Sequence, residues 1–522
     1  MNPSAHIRFR PQLRPACLPA LAASFLVAFF LYYSLGAERY IFNLTIGSDS
    51  PTHYAMARAS EADFLDGQFR SYNLSRAFLP RMAHYTEPVF AQLGLVPAGG
   101  DTEPMILTFI YLNTLALDLL CWLLLRLAAH YQLPTYKQLW LLILFGLNFS
   151  LLKMYAFNPL VTDLWAALLS TAFLYAYLLR WHLAWQVVLF VGLSFSHPLA
   201  YLVLAPCLLF PAYSPLRADE NQSIRRWAAL AYSSLRAGFL FVLVLFWGYY
   251  FYAILHPPKH LPFSHLFIQL PDLYLLVPST LLYLLYLRYV DRTFRPALLS
   301  AISRYPFGRG VLYRALLLAA LLGFRYALLH YIARPEPGVI ASRGGDLWFL
   351  VSFFYYLPFI KPGISLVAHF AYFGFFASGI VLYRGVLFRQ LAEHGLALPL
   401  MGLCFCLFLL DSESRHLSFY YPALVLLLVR GITIRPNRIW AFTLALFLFN
   451  LLVSGMLFQL QDWPKYSEQG LWYAHLWANY EGPYMHAWFY YVGASAVLIS
   501  LLALAYLKKN WSPSQQRPDL NP

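Results

Sequence analysis

The stretch "MNPSAHIRFRPQLRPACLPALAASFLVAFFLYYSLGAERY", residues 1–40, decides the fold class. Arg8, Arg10 and Arg14 lead into an apolar run from about residue 18 to residue 37. Some 20 apolar residues are what a helix needs to cross the ~30 Å of hydrocarbon in a bilayer. The run is nearly full length and no A-x-A cleavage site follows it, so it reads as a signal anchor with its amino end in the cytoplasm.

The rest of the chain repeats that pattern. With 522 residues, 60% hydrophobic, 18% aromatic and 11% charged, it is too apolar for a soluble globule. Further apolar runs fall near 105–128, 138–154, 160–180, 184–197, 198–212, 229–255, 273–290, 315–333, 364–383, 397–411, 417–430, 439–458 and 488–507. Residues 184–212 read either as two spans or as one helix kinked at His197-Pro198. The expectation is an all-α polytopic transmembrane bundle of about 12–14 spans. Residues 1–507 then form one membrane domain, and 508–522 a polar cytoplasmic tail.

Charge gives an internal check. If fourteen spans alternate, the cytoplasmic loops and span ends collect 24 of the 37 Lys+Arg, and the outer ones collect 17 of the 23 Asp+Glu. Positive-inside counting therefore supports cytoplasmic termini, in a bacterial inner membrane. The net +14 is accounted for as a topogenic signal, so it is not a nucleic-acid footprint. The basic loops contain no Gly-rich phosphate cradle, so an ATP-driven motor is not visible. All five cysteines lie in or beside apolar runs, which argues against a disulfide framework, and Cys404-Phe-Cys406 lacks metal-site spacing.

The outer face carries the polar chemistry. Loop 38–104 is too long for a simple connector. It interleaves Phe64, Phe69, Phe78 and Met82 with Arg58, Arg70, Arg76 and Arg81, a mixture suited to amphipathic helices lying on the bilayer with arginines near lipid phosphates. The loop opens with "FNLTIGSDSPTHYAMARA", residues 42–59. Asp49 there is either a helix cap ahead of Pro51 or a reactive carboxylate, which partial desolvation at the membrane makes a better base.

Asp163 stands close to hydrocarbon at the outer end of its run, with Lys153 as a candidate partner. In "LLDSESRHLSFYYPALVLL", residues 409–427, Asp411, Glu413, Arg415 and His416 crowd one tight turn, and an arginine fork suits a phosphate. His197 marks another outer turn, and His53, His84, His256, His260, His265, His475 and His486 are the other outer histidines. No H-E-x-x-H spacing occurs, so zinc is unsupported; a divalent cation held by Asp49 with a second acid is the cofactor left open. Loop 459–487 is rich in Trp and Tyr, which suits interfacial anchoring or stacking on a sugar ring. Asp118 and Arg325 are the charges nearest mid-span, either pairing across helices or lining a transport path.

This order of features resembles the GT-C class of integral-membrane glycosyltransferases, most nearly its poorly characterised bacterial members. Their first outer loop tends to carry an acid, then Tyr and Ala, then an Arg-x-x-x-Pro stretch. Here "DSPTHYAMA" and Arg76-Ala-Phe-Leu-Pro80 match that pattern. "NPLVTD" with Asp163 and "DSESRHLSFYYP" with Asp411, Arg415 and Pro422 are similar in placement to later family motifs. One departure is Ser196-His197-Pro198, where many such proteins carry a Lys-Glu pair.

The resemblance implies inverting transfer of a sugar from a polyprenyl-phosphate carrier to an acceptor at the extracytoplasmic face. Asp49 is then the base or the metal-binding acid, with Asp163 as a second catalytic candidate. Arg415 and Arg76 hold the carrier phosphate and steady the leaving group, and Asp411 and His197 complete the substrate-binding set. Two other readings compete. One is a multi-span transporter or lipid flippase, expected to show ionisable and Gly/Pro-broken helices at mid-depth in two related halves. The other is a non-catalytic protein of envelope assembly.

Overall fold

The computed structural model describes residues 17–36, 50–97, 102–148, 151, 159–197, 199–212, 219–255, 273–333, 362–410, 417–456 and 487–511. Among these residues there are helices and turns and no strand. Helix α1 (Cys17–Gly36) is followed by four helices of the first loop, α2 (Ser50–Arg58), α3 (Glu61–Leu65), α4 (Ser71–Leu74) and α5 (Phe78–Gln92). Then come α6 (Thr102–His130), α7 (Thr135–Gly146), α8 (Asp163–Leu178), α9 (Leu183–Ser194) and α10 (Ala200–Leu209). A long pair, α11 (Gln222–Leu255) and α12 (Leu273–Thr293), leads through α13 (Arg295–Arg304) to α14 (Arg309–Ile332). The last described helices are α15 (Ile364–Phe373), α16 (Phe375–Glu393), α17 (Ala397–Phe408), α18 (Tyr421–Gly431), α19 (Ile439–Met456) and α20 (Ala487–Trp511).

Six helices are long and apolar enough to cross a membrane, or seven if one bent pair counts as a span, and they make the chain an integral membrane protein. The expected 12–14 full spans are not what the described residues form. Helices α7, α9, α10, α17 and α18 have 12, 12, 10, 12 and 11 residues. At the helical rise they reach about 15 to 18 Å, roughly half the hydrocarbon thickness. A hydropathy window registers an apolar run without registering the buried polar turn that ends the helix inside it. Residues 184–212 are such a case: they hold two helices, α9 and α10, and the described residues between them, 195–197 and 199, are not helical.

The run at 364–383 is broken as well. Helices α15 and α16 meet at 113°. Gly374 makes the corner at φ +56°, and a side chain there would put its Cβ 2.6 Å from Asn450 Oδ1. That same oxygen accepts the Phe375 N–H at 3.3 Å, so the corner needs both no Cβ and a positive φ.

The core runs through the middle of the bundle. Helix α6 packs on α8, α1 and α5, and α16 packs on α18, α20 and α15. Contacts of α7 with α18 and α19, and of α10 with α17, join the two sides. In the span of α6 61% of residues are buried, against 6% in α11 and 11% in α14, so the latter two lie at the periphery. Tyr421 is a central brace: its ring stacks on Phe373 at 4.4 Å and its hydroxyl donates to the Leu144 carbonyl. All five cysteines are unpaired, as the sequence leads one to expect.

In the first long loop, two of the arginines expected near lipid phosphates, Arg58 and Arg81, have partners within the chain. Residues 50–97 fold back on themselves, with α2 against α5 and α5 against α6. Ser60 caps α3 by accepting the Asp63 N–H at 3.2 Å. Arg81 donates to the carbonyls of Met56 (3.2 Å) and Ala59 (2.8 Å), pairs with Glu61 and covers the Phe64 ring. Tyr85, followed by Arg81, holds the Glu61 carboxyl below its ordinary value by hydrogen bonding to the ionised form. Arg58 reaches Glu87 at 3.4 Å, and Arg76 is 1% exposed. The Arg81 and Arg58 guanidinium groups tie the loop together through the acids and backbone carbonyls within their reach. Helix α5 does show an outward apolar face at Tyr85, Val89 and Leu93.

Candidate functional site

The site is built where short helices end. Asp163 is the first residue of α8, where a carboxylate favours the amino-terminal end of the helix dipole. The turn ahead of it is fixed from two sides. Asn113 of α6 donates to the Pro159 carbonyl at 2.7 Å, and His53 of α2 donates from Nδ1 to the Leu160 carbonyl at 2.8 Å. Both side chains are buried.

His197 lies in the turn between α9 and α10. Its Nδ1 accepts the Leu199 N–H at 3.1 Å, which leaves the proton of a neutral ring on Nε2. That nitrogen is 3.6 Å from Asp163 Oδ1. The histidine is 0% exposed and the acid 1%, so the pair is closed to solvent. A carboxylate so deeply buried is tolerated only with hydrogen-bonding or charged partners.

Arg76 belongs to the same neighbourhood through its backbone. It sits in the turn between α4 and α5, and two residues on, the Phe78 N–H donates to the Phe195 carbonyl at 2.9 Å. The Phe78 ring also meets Trp165 with centroids 5.9 Å apart. The Arg76 turn is thus stitched both to the His197 turn and to the first turn of α8. Phe419 closes the group from the far side of the sequence, its ring 5.0 Å from the His197 ring.

Of the residues singled out from sequence, Asp163 and His197 meet directly and Arg76 joins them through its turn. Asp49, Asp411 and Arg415 lie outside the described residues, as do Lys153 and the aromatic loop 459–487. The described residues on either side of those segments lead to the same place. Helix α2, which starts at residue 50, is tied by His53 to the Asp163 turn, and residues 417–420 bring Phe419 onto His197. Upstream of 411, the Leu410 carbonyl accepts from Ser365 Oγ at 2.6 Å. His53 was named from sequence only as one of the outer histidines, and Asn113 and Phe419 were not picked out. The four-residue spacing from Asp49 to His53 was the available signal; Asn113 and Phe419 had none.

Arg325 does not pair with Asp118. Its guanidinium donates to the Ser194 carbonyl (3.0 Å) and the Tyr201 hydroxyl (3.3 Å) and lies 4.4 Å from the Tyr201 ring centroid, while Asp118 faces outward from α6. The nearer hydrogen-bond acceptors win: Arg325 clamps the end of α9 to the first turn of α10, on either side of His197. Arg325→Met is expected to lower stability by about 2–3 kcal/mol, the worth of charge-assisted hydrogen bonds, and Arg325→Lys to rescue little of it because an ammonium lacks the flat fork. A thermal unfolding midpoint in detergent that matches the parent in either variant would refute the clamp.

Among the described residues no three His, Cys, Asp or Glu side chains converge as metal ligands. Comparison with protein-family models, curated proteins and solved structures gives no match.

Proposed function

We propose that this chain is a membrane glycosyltransferase of the GT-C kind, moving a sugar from a polyprenyl-phosphate carrier to an acceptor at the extracytoplasmic face of a bacterial inner membrane. The observation that carries the reading is the buried His53–Asp163–His197 group with the Arg76 turn stitched to it, reached by residues flanking both Asp49 and Arg415. The second support is that α9 and α10, which flank the His197 turn, are short apolar helices, as a carrier with its tail in lipid requires of the walls around its phosphate site.

In this reading Asp49 removes the proton from the acceptor hydroxyl as its oxygen attacks the anomeric carbon, and the bond to the carrier phosphate breaks with inversion. Arg415 holds the phosphate and stabilises the charge that develops on it, with Arg76 supporting the loop around it. Asp163 and His197 keep the two reacting segments in register. Should Asp49 instead bind a divalent ion, that ion would take over polarising the donor phosphate.

The transport reading has less to stand on. It needs ionisable groups along a path at mid-depth, whereas Arg325 is clamped by Ser194 and Tyr201 and Asp118 faces outward. The test is transfer of sugar from a synthetic polyprenyl-phosphate donor by the purified protein in proteoliposomes. Arg415→Ala is expected to raise the donor KM about tenfold or more with the fold intact, in line with loss of a charged hydrogen bond. Donor dependence identical to the parent would remove Arg415 from the phosphate site, and no transfer from a panel of lipid-linked donors would overturn the enzyme reading.

A further inference from the structure

At the opposite ends of these helices from the His197 turn, the chain builds a second polar feature. Helix α11 begins there, α12 ends there, and α13 packs across α11. Between them lies a cavity of about 470 Å³ lined by Gln222, Arg225, Arg226, Asp291, Arg292 and Arg295, with Ala229 and Leu299 contributing apolar walls. Four arginines against one aspartate leave the lining with a net charge of +3.

Two of those arginines are neutralised within the protein. Arg225 pairs with Glu220, and Arg295 lies 3.6 Å from Asp291, which also pairs with Arg236 at 3.1 Å. Arg226 and Arg292 have no carboxylate partner among the described residues. Both are exposed at the cavity's mouth, where a guanidinium fork can receive an anion.

The surroundings say which kind. Beside the cavity, Trp227 and Leu230 are 71% and 58% exposed on a helix that faces outward along its length, and tryptophan favours the membrane–water boundary. A basic cavity beside an outward apolar helix face matches an anionic headgroup whose acyl chains stay in the bilayer.

We propose that the cavity binds the phosphate of an anionic phospholipid whose acyl chains lie in the bilayer along the outward face of α11. The site does not depend on the glycosyltransferase reading, and transfer activity is not its readout. The full chain, purified in detergent and titrated with phosphatidylglycerol, is expected to bind it with at least about tenfold preference over phosphatidylcholine. Replacing both Arg226 and Arg292 with Gln should remove about 20-fold of the phosphatidylglycerol affinity, since each basic residue near an anionic headgroup contributes about fivefold. Arg126→Gln, on α6 and away from the cavity, should change it less than about twofold.

Trp227→Gln with Leu230→Gln, on the outward face beside the cavity, should weaken phosphatidylglycerol while leaving inorganic phosphate binding as it was. If the double arginine variant does not fold, the single variants Arg226→Gln and Arg292→Gln should each lose about fivefold. Equal binding of the two lipids, or an unchanged affinity in the arginine variants, overturns the proposal. Saturation by inorganic phosphate at the same concentration as the lipid overturns it too, because the ligand would then be a free phosphate.

Discussion

Asn in place of Asp49 is expected to abolish sugar transfer, by about 100- to 10,000-fold, with the unfolding midpoint unchanged. That range is the worth of a general base in a proton-transfer step. Asparagine is the informative substitution because Asp49 directly precedes α2 (Ser50–Arg58), where an acid is also a favoured helix cap. Asn caps a helix about as well as Asp, so a capping role survives the change and a base does not. Helix α2 is held separately through His53 and the Leu160 carbonyl, which keeps the fold out of the comparison. Transfer assayed in proteoliposomes at parental rates would remove Asp49 from the reaction. A chelator separates its two proposed roles. A metal-binding acid predicts that EDTA stops the parent protein and that a divalent ion restores it, whereas a base predicts that EDTA changes nothing.

The second large effect belongs to the buried pair. Asp163→Leu is expected to cost about 1–3 kcal/mol of stability, because it leaves the buried Nε2–H of a neutral His197 without its acceptor. Asp163→Asn keeps the volume and should cost less. In a double-mutant cycle with His197→Gln the two changes should couple by about 1–3 kcal/mol, as contacting residues do; additive effects would mean the 3.6 Å approach carries no interaction. A purely structural pair would alter only the midpoint. The positioning role adds a kinetic mark: Asp163→Asn should raise the donor KM well above the change in kcat, because Phe419 on the His197 ring links this pair to the segment holding Arg415. Equal donor KM in parent and variant would leave the pair as scaffolding.

The sequence also offered Asp118 and Arg325 as a pair, and the reason they are not one is instructive. Helical periodicity places both near mid-span but says nothing of which neighbours face them. Arg325 found a carbonyl and a hydroxyl nearer to hand, at the ends of α9 and α10. The loop arginines show the same thing. Arg58 and Arg81 read as lipid-facing cations, yet acids and backbone carbonyls of their own loop take up their hydrogen bonds. A charged side chain takes the nearest partner the tertiary fold supplies, and that partner is often distant in sequence.

By itself the sequence determined that this chain lives in a bilayer and is helical. Transfer of apolar residues out of water and the need to satisfy every backbone group in lipid are local and additive, so they can be read from runs of residues alone. It also marked Asp163 as an acid placed where hydrocarbon makes it costly, His197 as a turn residue and Arg76 as part of the first loop's basic set. Only the tertiary structure decided that several runs are half-length helices, that the run at 364–383 turns 113° at Gly374, and that His53, Asn113 and Phe419 complete the group around Asp163 and His197. Those outcomes depend on which helix ends meet. A buried turn inside an apolar run is stable only when hydrogen-bond partners arrive from elsewhere in the chain, and no local pattern records their arrival.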